Sequence, residues 1–390
     1  MQVMARCRSQ GISVTVQDII ASKSITELAT KAKPGNTPTS VQRTEVEAEA
    51  RKKAWFEDES AFSHSPAGKV RLEDGAPFDL SPIQQVYLQN VGDNWKQFNQ
   101  SMLMRLTKKI RPGALTNALD QLVTRHAMLR ARFKQNRDGS WKQWISGDVE
   151  GSFRFRTHNA RSHQVESLIE NSQKFLDIER GPLIAFDLFN LPGSDTQLSI
   201  VAHHLIIDVV SWRIILQDLE DLLDGKSLKT EDTLSFENWV QLQAENAQQD
   251  NANRVLPVKD IPEADFDYWG MAEQPNTFGD IVDEKIELSA RSTTQLLKAC
   301  RECLESDLVD VLLASILLSF RREFSDRQSF PAIFNEGHGR EPWDSSIDLS
   351  STVGWFTTMS PVTLPNTADI TQGKMAIITH PFSQLTTCPR

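Results

Sequence analysis

The sequence predicts a mixed α/β protein made of two lobes, preceded by a short helical segment and a linker. Its 390 residues are 39% hydrophobic and 24% charged, which is enough apolar material for two lobes with separate cores. Strand-like alternation and helix-like periodicity of 3.6 residues follow one another from about Phe78 onward. The polar run AENAQQDNANR predicts the joint between the lobes near residues 245–260.

The elements are predicted in chain order from caps and periodicity. Thr15-x-x-Asp18 and Ser24-x-x-Glu27 are each typical of the start of a short helix, and the charged run TEVEAEARKK indicates a linker over residues 35–75. The predicted strands are Gln100–Leu106, Lys142–Ile145, Phe153–Arg156, Leu198–Ala202, Glu284–Leu288 and Phe330–Phe334. The predicted helices are Gly113–Phe133, Trp212–Leu223, Thr293–Cys303 and Leu308–Phe324. Asn366–Arg390 has no period, and we expect it to be frayed or disordered.

Composition excludes several classes of function. A net charge of −10 and a pI near 5.4 argue against binding nucleic acid or an anionic membrane, because phosphate binders need a basic face. The longest apolar run is too short to span a bilayer, and the N-terminus lacks the pattern of a secretory signal. Four cysteines do not make a disulfide framework, and the clusters needed for a metal site are missing. These features predict a cytoplasmic protein without a bound metal.

The segment LSIVAHHLIIDVVSWRIILQDLEDLL is the most informative part of the chain. A predicted strand runs into His203 and His204, Asp208 follows, and helical periodicity begins near Trp212. Histidine is the side chain best suited to exchange a proton near neutral pH. The plainer interpretation is that both histidines are core residues and that Asp208 only caps the helix.

The motif H-H-x-x-x-D followed by S-W-R-I-I resembles the active-site motif of condensation and epimerization domains of nonribosomal peptide synthetases. It also resembles related acyltransferases of the chloramphenicol-acetyltransferase type. The resemblance covers roughly residues 76–365, and it implies two chloramphenicol-acetyltransferase-like α/β lobes arranged as a V. Val209 departs from the pattern, because many members have glycine after the aspartate. Further stretches that match in order are LSPIQQVYLQN, FNQSMLMRL, RHAMLRARF, GPLIAFDLF, SFENWVQLQ and DYWG.

Two later stretches favour epimerization over peptide-bond condensation. Phe334–Glu341, FNEGHGRE, resembles the signature of epimerization domains, and STVGWFTTMSPV resembles the motif that follows it. Inverting a Cα centre requires a proton to leave one face and another to arrive on the other. The resemblance therefore implies two acid/base groups, His204 on one lobe and Glu336 on the other. The supporting residues that it implies are His203, Asp208, Ser211, Trp212, His338 and Arg340.

Residues 1–34 resemble the second half of a peptidyl carrier domain. The serine that bears phosphopantetheine in that family would lie before Met1, so the chain holds no covalent cofactor of its own. A phosphopantetheine-linked substrate is expected to arrive on a peptidyl carrier domain, and other synthetase modules are the remaining partners. The predicted domains are the carrier remnant (1–34), the linker (35–75), the first lobe (76–250) and an incomplete second lobe (251–390).

Two alternatives stay open at this point. One is a condensation domain that forms a peptide bond between two carrier-bound substrates. The other is a non-catalytic fragment that only binds carrier domains.

Overall fold

The computed structural model describes most of the chain between residues 74 and 362 and two shorter stretches before it. The described residues are 12–13, 24–34, 74–91, 97–228, 233–249, 261, 265–271, 281–300, 302, 308–325, 332–344 and 346–362. The chain forms two compact units, Met1–Asn251 with His338–Thr358 and Ala252–Gly337 with Met359–Arg390. Residues 338–358, which the sequence analysis assigned to the second lobe, belong to the first unit. The Thr15 capping pair, residues 35–73 of the predicted linker and the tail Asn366–Arg390 lie outside the described residues.

The N-terminal segment contains a helix and a short strand pair among its described residues. Ser24 caps α1 (Ile25–Lys31), because its Oγ accepts a hydrogen bond from the Glu27 backbone N–H at 3.1 Å. This confirms the predicted capping pair. β1 (Ile12–Ser13) pairs antiparallel with β2 (Lys33–Pro34). The segment predicted to be helical therefore also contains two short strands. Pro34 favours extended backbone at Lys33, the residue before it.

The first unit is built on a four-stranded sheet with the order β3-β8-β7-β6. β6 and β7 are parallel and are connected by α4, whereas the other two pairings are antiparallel. β4 and β5 form a separate antiparallel pair. The strands predicted over residues 100–106, 142–145, 153–156 and 198–202 are therefore confirmed. The elements in chain order are α2 (Pro82–Asn90), β3 (Asn99–Arg105), α3 (Pro112–Arg125), β4 (Ala131–Gln135), β5 (Trp141–Ile145), β6 (Phe153–Asn159), α4 (Ser162–Phe175), β7 (Ile184–Asn190), β8 (Thr196–His203), α5 (Val209–Leu223) and α6 (Phe236–Gln249).

Alternation along β7 divides its side chains between two apolar layers. Ile184 and Phe186 belong to the main core, which also contains side chains from α3 and α5. Ala185 belongs to a smaller cluster with Val201, packed against Ile169 of α4. Helices thus cover both faces of the sheet, which explains why six of the seven residues of β7 are buried.

The helix predicted over Gly113–Phe133 is too long. α3 ends at Arg125, a 3₁₀ turn follows, and β4 begins at Ala131. The buried guanidinium of Arg130 donates to the carbonyl of Ser146 at 2.6 Å. Its Nε and Nη2 donate to the carbonyls of Val123 and Thr124 at 3.1 and 3.4 Å. These carbonyls lie in the last turn of α3, where a helix leaves its carbonyls without intrahelical donors, so Arg130 stabilises an end that helical periodicity alone does not reveal.

The second unit contains α7 (Ala290–Ala299), α8 (Leu308–Glu323) and the paired strands β9 (Ile333–Gly337) and β10 (Thr358–Val362). Both predicted helices and the strand predicted over Phe330–Phe334 are present with shifted bounds. The strand predicted over Glu284–Leu288 is wrong. Its side chains are exposed, and no strand pairs with it within the described part of this unit, so its alternation has no ladder to join.

In the first unit, replacing leucine by alanine should affect stability differently at a buried and at an exposed position. Leu122 of α3 is 0% exposed and Leu103 of β3 is 50% exposed. We expect Leu122→Ala to lower the free energy of unfolding by about 2–5 kcal/mol, because it removes buried methyl groups and leaves a cavity. Leu103→Ala is the control and should cost clearly less. Urea unfolding followed by circular dichroism measures both, and equal losses would contradict this core assignment.

Candidate active site

The histidine pair lies where the buried strand β8 ends and the chain turns toward α5. β8 ends at His203, and the backbone N–H of His204 donates to the carbonyl of Phe98 at 2.7 Å. The carbonyl of Leu205 accepts a hydrogen bond from the buried side-chain amide of Gln84 at 2.8 Å. The turn is therefore held by neighbouring segments on both sides, as expected of a junction that positions a reactive side chain.

The first histidine, His203, has the geometry of a structural residue. Its side chain is 0% exposed, and its Nδ1 accepts a hydrogen bond from the Leu205 backbone N–H at 3.2 Å. A ring nitrogen that accepts a hydrogen bond carries no proton, so any ring N–H of His203 is on Nε2. This bond closes the tight turn that carries the second histidine.

Aromatic side chains surround the second histidine, His204. Its half-buried ring stacks on Phe98 with centroids 4.8 Å apart and an interplanar angle of 10°. Trp355 lies on it with centroids 4.5 Å apart and an angle of 42°. Tyr87 stacks on Phe98, and burial raises the pKa of Tyr87 to about 12, so its hydroxyl stays neutral near pH 7. The imidazole thus lies among rings that carry no charge of their own.

Asp208 is a buried carboxylate whose oxygens are fully engaged. It is the N-cap of α5, and its Oδ1 accepts from the Ser211 backbone N–H at 2.6 Å. Arg340 Nη2 donates to its two oxygens at 3.1 and 3.2 Å, and the Phe356 N–H donates to Oδ2 at 3.2 Å. Asp208 therefore caps α5, as the plainer interpretation of the sequence holds, and also forms a buried salt bridge with Arg340. With both oxygens bound in this way, Asp208 has the geometry of a structural residue.

Arg340 distributes its donors among three parts of the first unit. Besides Asp208, its Nη1 donates to the carbonyls of Leu349 and Thr352 at 3.0 and 2.6 Å. The guanidinium carbon lies 3.9 Å from the centroid of the Phe356 ring. Burial lowers the pKa of Arg340, while the neighbouring Asp208 charge acts in the opposite direction. Arg340 thereby attaches the loop that contains Leu349–Phe356 to the start of α5.

The hydroxyl of Ser211 completes this cluster. It donates to the carbonyl of Gly354 at 2.9 Å and accepts from the Gly354 N–H at 3.1 Å and from Arg340 Nη2 at 2.9 Å. Gly339 and Gly354 allow neighbouring residues to approach the backbone of this cluster closely. Gly339 has φ +64°, and a Cβ there would overlap the carbonyl of Phe356; one on Gly354 would overlap the ring of Phe236. Gly339, the second glycine of the EGHGRE segment, is thus required by packing.

The remaining predicted residues divide between the two units. Trp212 is buried and donates through Nε1 to Gln100 Oε1 at 2.7 Å, so it packs α5 on the sheet. His338 accepts from the Arg340 backbone N–H through Nδ1 at 3.1 Å. Glu336 is an exposed residue of β9 and belongs to the second unit. The structure therefore joins Asp208, Ser211 and Arg340 directly.

Sequence reasoning missed the residues that support the histidine turn. Gln84 and Gln143 are 0% exposed and donate to one another's side-chain oxygens at 3.2 and 2.9 Å. Phe98 and Trp355 lie in stretches that resemble family motifs, yet neither received a role. Their position in those motifs is the one signal in the sequence that could have singled them out.

The structure was also searched, within the residues it describes, for membrane-spanning helices and for clusters of metal-binding side chains. None of the helices that the structure describes is both long and apolar enough to cross a bilayer. Within the same residues, no group of three or more histidine, cysteine, aspartate or glutamate side chains is placed to hold a metal ion.

Comparison with known proteins identifies the class of this fold and site. The condensation domain family matches residues 77–379, which is more than half of the chain. Nonribosomal peptide synthetase 4 of Gibberella zeae is 40% identical over 365 residues, 93% of this chain and 4% of that protein. FR901469 synthetase of Dothideomycetidae sp. is 41% identical over 381 residues, 94% of this chain and 2% of that protein. The chain thus spans only a few per cent of the length of these synthetases.

Solved structures agree with this assignment. The epimerization domain from the third module of tyrocidine synthetase B has a TM-score of 0.60 and 26% identity, covering 76% of this chain and 69% of that chain. The condensation domain of the Monacolin K polyketide synthase MokA has a TM-score of 0.55 and 18% identity, covering 75% and 68%, and shows the shared fold. The chain belongs to the condensation domain family, and the predicted α/β fold class is confirmed.

Removing one charge of the buried Asp208–Arg340 ion pair should lower the free energy of unfolding more than removing both charges. Arg340→Met should lower the free energy of unfolding by about 3–5 kcal/mol, because it leaves the Asp208 carboxylate buried and unpaired. Adding Asp208→Asn should recover part of this loss, since the amide oxygen still caps α5 and carries no charge. Urea unfolding of the single and double variants makes the comparison. A double variant less stable than Arg340→Met would show that the ion pair is not the source of the effect.

Proposed function

We propose that this domain epimerizes the Cα of an aminoacyl or peptidyl residue held as a phosphopantetheine thioester on a carrier domain. The observation that carries this proposal is the EGHGRE segment, whose Arg340 binds the aspartate of the H-H-x-x-x-D motif. The solved epimerization domain of tyrocidine synthetase B supports it, with 26% identity against 18% for the condensation domain of MokA.

The proposed reaction is a proton exchange without net redox change. A base removes the Cα proton, the C–H bond breaks, and its electron pair moves into the thioester carbonyl to form an enolate. An acid then delivers a proton to the opposite face of Cα, and the carbonyl is restored. Two proton carriers are needed because each serves one face.

His204 is the proposed first proton carrier. Imidazole accepts and returns a proton near neutral pH, and the His204 turn is fixed by bonds to neighbouring segments. His203 and Asp208 are assigned supporting roles, because the first closes the turn through Nδ1 and the second is engaged by Arg340 and two backbone N–H groups. Ser211, Trp212, His338 and Arg340 support geometry in the same way.

Glu336 is the proposed second proton carrier. Its carboxylate is exposed in β9, where it can exchange protons with solvent between turnovers, and it lies four residues before Arg340 in the chain. Condensation joins an amine to a thioester and needs no second carrier at the Cα. The chemistry of Glu336 therefore separates epimerization from condensation.

The proposed substrate and partners are those that membership of the family suggests. The relatives are nonribosomal peptide synthetases, whose length far exceeds that of this chain, so other synthetase modules are proposed partners. Residues 1–34 are proposed to be the second half of a carrier domain. A phosphopantetheinyl carrier domain is proposed to deliver the thioester.

The first test of this proposal concerns His204. His204→Ala should reduce exchange of the substrate α-proton with deuterated water by about 10²–10⁴-fold, because it removes a general acid–base group. Mass spectrometry of L-aminoacyl thioesters loaded on a carrier domain measures the exchange for a panel of amino acids. His163→Ala, on an exposed face of α4, is the matched control. Full exchange in the His204 variant would exclude His204 as the carrier.

The second test concerns Glu336. Glu336→Gln keeps the shape of the side chain but removes the titrating carboxylate, so interconversion of L and D isomers should fall by about 10²–10⁴-fold. The D to L ratio is followed from either isomer, with Glu287→Gln, another exposed carboxylate of the second unit, as the control. An unchanged rate would remove Glu336 from the mechanism. Formation of a peptide longer by one residue from two loaded carriers would instead establish condensation.

A further inference from the structure

We propose that Trp355 is a positioning residue which, together with Phe98, fixes the plane of the His204 ring and links the buried Asp208–Arg340 ion pair to proton transfer. This inference rests on the proposed role of His204 as a proton carrier. Trp355 lies in the STVGWFTTMSPV stretch, to which no function has been assigned above.

The two aromatic side chains restrict rotation of the imidazole. The ring of Phe98 is nearly parallel to that of His204, at an interplanar angle of 10° and a centroid distance of 4.8 Å. Trp355 contacts both rings, with centroid distances of 4.5 Å to His204 and 5.7 Å to Phe98. A flat ring packed in this way cannot turn about its Cβ–Cγ bond without displacing a neighbour.

The backbone on either side of Trp355 is bonded to the start of α5. Gly354 exchanges two hydrogen bonds with the Ser211 hydroxyl, and the Phe356 N–H donates to Asp208 Oδ2. Arg340 binds Asp208 and Ser211 together. The polar cluster thus fixes the residues before and after Trp355, and the Trp355 side chain transmits that position to His204.

Ring orientation matters because the lone pair that accepts a proton lies in the plane of the imidazole. A displacement of about 1 Å at a reacting group can cost on the order of 10²-fold in rate. The loss should fall on kcat rather than KM, because Trp355 is buried at 4% exposure and acts through His204.

The indole N–H of Trp355 allows an aromatic and an aliphatic substitution of this residue to be compared. It is buried and has no hydrogen-bond acceptor among the residues that the structure describes. Trp355→Phe therefore removes no hydrogen bond and keeps an aromatic face, whereas Trp355→Leu stays apolar but removes the face. The difference between the two variants reports on the aromatic contacts of Trp355 with His204, Phe98 and Tyr87.

The experiment measures α-proton exchange on carrier-loaded aminoacyl thioesters with the full chain and these two variants. We expect Trp355→Leu to lower kcat by about 10²-fold with KM unchanged, and Trp355→Phe to stay within about threefold of the parent. Phe98→Leu and Phe98→Tyr form a second pair with the same expectation, at a half-buried position. Equal losses in the leucine and aromatic variants, or no loss in either leucine variant, would overturn the proposal.

A readout that needs no activity separates this inference from the proposed function. NMR of ¹⁵N-histidine-labelled chain, with His204 assigned from the spectrum of His204→Gln, should show one sharp set of ring resonances in the parent and in Trp355→Phe. In Trp355→Leu these resonances should broaden or split, because the ring samples several orientations. An unchanged spectrum in Trp355→Leu would contradict the proposal. Absence of α-proton exchange in the parent would defeat the epimerization proposal alone.

Discussion

The ion pair between Asp208 and Arg340 is the interaction on which the geometry of the candidate site depends. Its partners are 132 residues apart in the chain, and both are almost completely buried. A buried charge is costly unless its partner and hydrogen bonds compensate it, so the two segments are held in one arrangement. The carboxylate accepts from Ser211 and Phe356, and the guanidinium donates to the carbonyls of Leu349 and Thr352. One ion pair therefore connects the cap of α5 with the loop before β10.

This arrangement separates the residues that shape the site from the residue proposed to react. His203 uses Nδ1 to close the turn after β8, and Asp208 is surrounded by donors. His204 differs from both, because it is half-buried and its ring lies between aromatic side chains. Two of the three polar residues in the H-H-x-x-x-D motif thus have the geometry of structural residues.

This explains why the motif by itself does not determine a reaction. A histidine held on a rigid turn can serve any chemistry that needs a base near a thioester, and condensation and epimerization both satisfy that condition. The distinction must come from residues outside the motif. Glu336 is the candidate residue that distinguishes the two reactions, because only inversion of a Cα centre requires a second proton carrier.

Local patterns in the sequence predicted the α/β class, four strands of the first unit (β3, β5, β6 and β8) and the helix after Asp208. The helix was predicted because its apolar residues recur with helical spacing, whereas β4 and β7 were not predicted. The same patterns failed for Glu284–Leu288, where alternation lacks a partner strand among the described residues. They also failed at the end of α3, where the Arg130 side chain donates to the carbonyls of Val123 and Thr124 in the last turn.

The candidate site, too, could be predicted from the sequence only in part. The motifs identified His203, His204, Asp208 and Arg340 as residues of interest, but the sequence alone could not pair Asp208 with Arg340 or place Trp355 against His204. Those contacts join segments more than 100 residues apart, and they exist only once the sheet and α5 have formed. The sequence by itself determined the class of fold and the reactive side chains available, whereas the tertiary structure decided which of them touch, because long-range contacts depend on how the elements pack.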